Sequence, residues 1–331
     1  MLSYLIRRLC YMIIMLAVMS VVSFIIIQLP PGDYVSSLRA SLEASGNPLD
    51  EDEVQALIRQ YGLDKSYAAR YFLWVGGMLR GDFGRSITWN RPVLELIGER
   101  LVLTITISLV TTFFTYLVSI FIGIYSATHQ YSPADYTFTV VGFIGLATPN
   151  FMLALILMIA FNNLFGISIG GLFSAEYSTA AWSLGKVWDL IKHLPVPVIV
   201  VGTAGTAGLI RVMRGMVLDE IRKQYVVTAR AKGVEETKLL FKYPVRVALN
   251  PLISTVGWIL PTIVSGSTIT ALVLNLPTVG PLMYGALLAE DTYLAGTIIL
   301  FLCMLTIIGT FVSDVLLAIT DPRIRFERMA A

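Results

Sequence analysis

The chain has 331 residues, of which 56% are hydrophobic and only 14% charged. That balance excludes an ordinary soluble domain and defines an integral membrane protein. The net charge of +2 decides little as a total, but where the charges fall along the chain sets the orientation.

A spanning helix needs roughly 20 consecutive apolar residues. About six stretches qualify: residues 9–29, 101–127, 136–161, 194–211, 252–276 and 294–318. The runs do not alternate with a period of two, so barrel strands are excluded in favour of an all-α fold. The first run follows Arg7 and Arg8, as a cleavable signal would, but it is too long for a signal core. It also ends at Gln28-Leu29-Pro30-Pro31 without a small-x-small site, and so is expected to stay as a membrane anchor.

Between the first two runs, residues 31–100 form the longest stretch outside the membrane. Residues 50–62 read as a helix, acidic at its start and stopped by Gly62. A second helix over residues 66–79 carries Tyr67, Tyr71, Phe72 and Trp74, which suit either seating on the bilayer surface or contact with an external partner. Residues 180–194 have Trp182, Leu184, Val187, Trp188 and Ile191 at helical spacing and predict an amphipathic helix at the outer interface. The fourth run is short and rich in Gly and Thr, the composition that close helix packing in lipid uses.

Nine Lys or Arg lie between Arg211 and Arg246, with further basic residues before the first run and after the last. With six spans all these clusters fall on one side, which the positive-inside rule makes the cytoplasm, together with both termini. Residues 31–100 and the loop with Glu290 and Asp291 then face outward. Within the long basic segment, Tyr225-Val226-Val227-Thr228-Ala229-Arg230-Ala231-Lys232-Gly233 is hydrophilic, helix-forming and broken by glycine. Such a segment between two membrane-length runs predicts a cytoplasmic docking loop at about residues 212–250.

Polar residues inside apolar runs mark helices that cannot simply face lipid. Asn150, Thr203, Thr206, Ser254, Thr255, Ser265, Ser267 and Thr268 are the candidates for lining a pathway, and the fifth run, loosened by Gly257, Pro261 and Gly266, is its expected wall. Asp314 is the main ionisable residue expected within a span. Too few intramembrane carboxylates or histidines are present for a proton relay. Cys10 and Cys303 read as apolar fillers, and His129 and His193 are solitary. No motif for ATP hydrolysis, metal-dependent or serine hydrolysis occurs, so the chain is expected to be non-catalytic, with no catalytic, metal or cofactor site.

From Gly208-Leu209-Ile210-Arg211-Val212-Met213-Arg214 through Met216, Leu218, Tyr225 and Thr228-Ala229-Arg230-Ala231-Lys232-Gly233 to Pro251, the chain resembles the inner-membrane permease subunits of binding-protein-dependent ABC importers, in their dipeptide and oligopeptide branch. The likeness extends outward to Pro31-Gly32-Asp33, Tyr61-Gly62-Leu63-Asp64 and Gly81-Asp82-Phe83-Gly84-Arg85-Ser86. At the other end it includes Asp314 and Asp321-Pro322-Arg323-Ile324-Arg325. The resemblance implies a type I ABC importer transmembrane fold in a prokaryotic inner membrane. It also implies a first transmembrane helix over residues 1–30, an external segment over 31–100 and a core transmembrane domain over 101–331.

The implied partners are a second permease subunit, two cytoplasmic ATPase subunits that use ATP and Mg, and an external substrate-binding protein. Thr228, Ala229, Arg230, Ala231, Lys232, Gly233, Val234, Glu235, Glu236 and Leu239 would belong to the helix that couples to the ATPase. Some positions depart from the family. Tyr243 and Val247 stand where His and Asn are usual, Ala271 replaces the usual acidic residue, and Pro277-Thr278 replaces Pro-Gly. These departures leave oligopeptide and oligosaccharide both open as the imported solute. An autonomous carrier or channel is the alternative class, but such a carrier would need inverted repeats, and no convincing internal symmetry is found.

Overall fold

A computed structural model describes residues 2–28, 39, 50–60, 64–86, 88–166, 169–266 and 268–320. The expected helix stop at Gly62, Pro31-Gly32-Asp33, the C-terminal basic cluster, Ser267 and the side chain of Ser265 lie outside the described residues.

Helix α1 (Leu2–Gln28) is followed by the short helices α2 (Glu51–Gln60) and α3 (Tyr67–Met78). The long α4 (Val93–Thr128) then leads to α5 (Pro133–Ala147), α6 (Asn150–Phe165), the single turn α7 (Ala175–Ser178) and α8 (Leu184–His193). Next come α9 (Pro195–Ile221), α10 (Gln224–Ala231), α11 (Glu236–Lys242) and α12 (Pro244–Gly266). The chain continues through α13 (Thr268–Val273), α14 (Val279–Leu288) and α15 (Thr292–Thr320). Among the described residues four helices are long and apolar enough to cross a membrane, or five if α5 and α6 count as one broken span.

The expected third run, residues 136–161, is not one rod: α5 and α6 meet at 105°. Pro149 is the cause. It offers no N–H and forces the preceding residue out of the helical region, so Thr148 is extended at φ −89° and ψ 118°. The fourth run also differs. Pro195 opens α9 at its first turn, where the missing N–H costs nothing, and the helix runs past Arg211 to Ile221, so Arg214 sits within it rather than in the loop. In the fifth region α12 begins at Pro244 and ends at Gly266, and α13 follows as a separate short helix instead of a continuation to residue 276.

The amphipathic segment is helical only from Leu184, because Ser183 caps it by accepting from the Lys186 N–H at 3.2 Å. Lys186 and Asp189 turn inward, and Leu184, Trp188 and Ile191 are exposed.

At the centre, α4 and α9 pack side by side through small residues. A Cβ on Gly123 would stand 2.6 Å from Met213 Cβ, and one on Gly202 would stand 3.1 Å from Thr115 Oγ1. Small side chains let the helix axes approach closely where lipid provides no hydrophobic drive. One apolar cluster joins Val93 and Ile97 of α4 to Leu282 of α14 and Ile298 of α15. At the other end of α4, Ile124 meets Met213 and Val217 of α9 with Leu252 of α12. α1 packs on α15, and Arg8 pairs with Asp314 at 2.7 Å, which accounts for the ionisable residue expected in the last span.

The aromatic cluster of α3 is only partly at a surface. Tyr71 and Trp74 stack around Phe24 of α1, with ring centroids 5.5 and 5.8 Å apart, and the Tyr71 hydroxyl reaches Ser20 Oγ at 2.8 Å. Tyr67 and Phe72 remain exposed.

Candidate functional site: the loop between α9 and α12

α10 and α11 form a helical hairpin with a small core of its own. Val226 and Ala229 of α10 and Leu239 of α11 are buried together, with Val234 and Tyr243 packed against them. Gly233 joins the two helices at φ +78°, a conformation glycine adopts without strain. Its N–H donates to Arg230 O at 3.0 Å, and that of Val234 donates to Ala229 O at 3.3 Å, which closes α10.

Arg230 then reaches across the turn in a forked pair with Glu236, Nε to Oε1 at 2.5 Å and Nη2 to Oε2 at 3.1 Å. The hydrogen bond from Arg230 holds the Glu236 carboxyl below its usual range, and Glu236 in turn raises Arg230. At the entrance to the hairpin the Tyr225 hydroxyl donates to the Glu220 carboxylate, linking α10 to the end of α9. Burial, with the Glu220 hydrogen bond, pushes the Tyr225 hydroxyl well above its ordinary value.

The ten coupling candidates therefore divide by position. Ala229 and Leu239 point into the hairpin and build it; Val234 is half-buried against them. Thr228, Ala231, Lys232, Gly233, Glu235 and Glu236 lie on its surface, and Arg230 is exposed but engaged by Glu236. Val227 and Phe241 add exposed apolar surface to the hairpin. Sequence reasoning passed over both, although apolar side chains in a charged loop were the available signal.

The pathway candidates do not gather at one place. Thr206 is buried in the seam between α4 and α9, where its carbonyl accepts from Ser119 Oγ at 3.1 Å. Thr255 shares a 2.7 Å hydrogen bond with the Tyr116 hydroxyl, which ties α12 to α4. Ser254 and Thr203 turn back to carbonyls of their own helices, Asn250 O at 3.0 Å and Ile199 O at 2.5 Å. Asn150 is half-buried just after the bend at Pro149, and Thr268 Oγ1 lies 2.8 Å from where a Cβ on Gly280 would be.

Two charged sites went unnoticed in the sequence. Asp135 of α5, 2% exposed, takes a forked pair from Arg214 of α9 at 2.9 and 2.8 Å. Asp291, fully buried before α15, accepts from Ser86 Oγ at 2.5 Å, from the Thr88 N–H at 3.2 Å and from the Leu294 N–H at 3.1 Å. Through Ser86, the Gly81 to Ser86 motif is thus fastened to the α14–α15 junction. Gly84, at φ +77°, leaves room there for Tyr293, whose ring would lie 3.0 Å from an added Cβ.

The described residues thus form a helical membrane chain with a self-packed helical hairpin between two of its long helices. Residues 119–326 match the family described as binding-protein-dependent transport system inner membrane component, and residues 1–110 match its N-terminal membrane component. The chain belongs to this family: it is a non-catalytic, inner-membrane permease subunit of an ABC importer.

It is 34% identical over 328 residues to the oligopeptide transport system permease protein AppB of Bacillus subtilis, covering 98% of this chain and 99% of that one. It is 32% identical over 368 residues to the inner membrane ABC transporter permease protein YejB of Escherichia coli O157:H7, covering 98% and 99%. With the dipeptide transport system permease protein DppB of Alkalihalophilus pseudofirmus it shares 28% identity over 340 residues, covering 98% and 100%. The family implies ATP-dependent transport served by a substrate-binding protein, and these findings favour that class over an autonomous carrier or channel.

Proposed function

We propose that this subunit forms half of the translocation pathway of an oligopeptide importer, with a second permease subunit as the other half. The α10–α11 hairpin, with residues 228–243, docks on an assembly of two cytoplasmic ATPase subunits, which bind ATP with Mg and hydrolyse the ATP; this chain binds neither. The observation that carries this is the hairpin itself. A loop with a private core, a forked ion pair across its turn and a tether to α9 moves as a unit and can pass a rigid-body displacement to α9 and α12.

Alternating access follows, with ATP binding favouring one orientation of the pathway and hydrolysis returning it. The chain then has six spans with both termini in the cytoplasm, residues 1–30 as the first span, 31–100 facing the external binding protein and 101–331 as the transport core. Peptide is favoured over oligosaccharide because relatives matched end to end carry oligopeptide and dipeptide in their names.

The test is co-purification of the subunit from its native cells in mild detergent, followed by ATPase assay with binding protein and candidate solutes. Recovery of a second permease and ATPases, with hydrolysis stimulated by peptide, is the expected result. A chain that retains no ATPase even after crosslinking through Lys232 would overturn the docking role. Stimulation by oligosaccharide and not by peptide would overturn the substrate.

A further inference from the structure

α9 packs along the bent α5–α6 pair, with Thr203 close against Gly145 and Val200 clustered with Ala154, and to this packing the Asp135–Arg214 contact adds a directed ion pair. Its construction is specific. Ser132 caps α5 by accepting from the Asp135 N–H at 3.2 Å, and Asp135 Oδ2 accepts from the Tyr131 N–H at 3.0 Å. Tyr131 stands at φ +66°, so the carboxylate holds closed the tight turn that joins α4 to α5. Arg214 then clasps both carboxylate oxygens from α9. From Arg214 to Ile221 is about two helical turns, and α9 is unbroken over that distance. Past Ile221 the Glu220–Tyr225 hydrogen bond carries the connection into α10.

A guanidinium fork fixes orientation as well as distance, which a lysine at the same place would not do. The pair is 79 residues apart in sequence and mostly shielded from water, so it adds a fixed geometry to two elements that otherwise meet through packing and the Arg211 guanidinium over the Phe143 ring, 5.1 Å from its centroid.

We propose that Asp135 and Arg214 are the positioning pair that transmits displacement of the α10–α11 hairpin to α5, and through it to the bend at Pro149. This rests on the hairpin being the ATPase dock. The pair touches neither solute nor nucleotide; it sets whether hydrolysis moves the pathway.

The experiment compares Asp135→Asn and Arg214→Lys with the unaltered chain in the assembled importer, reconstituted with its binding protein. ATP hydrolysis, solute import and retention of the ATPase subunits are measured together. In both variants the subunits stay bound and ATP is still hydrolysed, but solute imported per ATP falls by about 5- to 150-fold, the range of typical coupling energies. A spin-label pair on α5 and α10 follows the same step: ATP leaves its distance unchanged in the unaltered protein, where α5 follows α10, and changes it in the variants. Unaltered import per ATP in Asp135→Asn would overturn the proposal. So would import and hydrolysis falling together in proportion to the complex recovered, in Arg214→Lys as well, since the pair would then be structural only. If the unaltered chain itself retained no ATPase, the docking role would fall and this proposal with it; the first two results leave the docking role standing.

Discussion

Removing the Asp291 carboxylate tests whether the Gly81 to Ser86 motif is held by the bundle or merely lies on it. Asp291→Ala leaves three donors without their acceptor: the Ser86 hydroxyl, which is fully buried, and the N–H groups of Thr88 and Leu294. Hydrogen bonds to a charged group contribute about 1.5–3 kcal/mol each. The three share one carboxylate and are not additive, so the expected loss is about 3–5 kcal/mol. Asp291→Asn keeps one acceptor oxygen and the shape of the site and should cost about 1–3 kcal/mol. The readout is trypsin cleavage after the exposed Arg80 and Arg85 in the detergent-solubilised complex. Where cleavage tracks the open population, a cost of about 3 kcal/mol raises its rate by about a hundredfold. The alanine variant should show that increase and the asparagine variant a smaller one. Cleavage of Asp291→Ala within about threefold of the unaltered protein would refute the argument that this carboxylate is the anchor.

The other predictions concern the seam, the hairpin and its ion pair. Gly123→Ala places a Cβ 2.6 Å from Met213 Cβ and should destabilise the bundle by about 1–3 kcal/mol, whereas Gly208→Ala, with nothing within 4 Å, should be neutral; comparing thermal inactivation of the two complexes decides it. At Gly233, also open within 4 Å but at φ +78°, only backbone strain counts. Asn should therefore be tolerated and Val should cost about 1–2 kcal/mol, read as loss of ATPase retention, and equal behaviour of the two would contradict the strain argument.

Glu236 is held below its ordinary 4.5 by Arg230. The pair therefore supports the folded hairpin fully above that ordinary value, and the support is lost as pH falls through the lower folded-state value. A spin label at the exposed Lys238 should gain mobility on acidification through that range, and in Arg230→Gln it should be mobile already at neutral pH. An identical pH response in the two proteins would count against the pair.

What could be read from the sequence, and what could not, divides along physical lines. Local signals held well: the acidic residues expected at the start of the first short helix open α2, and the helix expected over residues 66–79 forms as α3. These depend on neighbours within one turn. Pro149 is a helix breaker present in the sequence, but an apolar run has the same composition whether straight or bent, so residues 136–161 read as one span and the 105° angle was not legible. The helical loop between α9 and α12 was found from its charges and its glycine. Which residues face inward was not, because Val226, Ala229 and Leu239 meet only once two helices fold back on each other. The Asp135–Arg214 and Ser86–Asp291 contacts join residues 79 and 205 positions apart, and no local pattern announces a partner at that distance.

The substrate argument turns on the same distinction. In the sequence, Ala271 looked like a lost pathway carboxylate, and that loss kept an oligosaccharide solute in view. In the fold Ala271 is 3% exposed and packed in an apolar cluster with Leu103, Ala154, Val200 and Leu274. An ionised carboxylate in that surrounding would need a buried partner to offset its desolvation, and the flanking Thr270 and Leu274 provide no cation. The alanine therefore suits the packing of α13 against α6, and its presence carries no information about what passes through the pathway. Tyr243, another departure from the family, packs on the hairpin core and approaches Tyr225 with ring centroids 6.3 Å apart. Both substitutions are accounted for by local packing, one in the bundle and one at the α10–α11 hairpin, and neither weighs against a peptide.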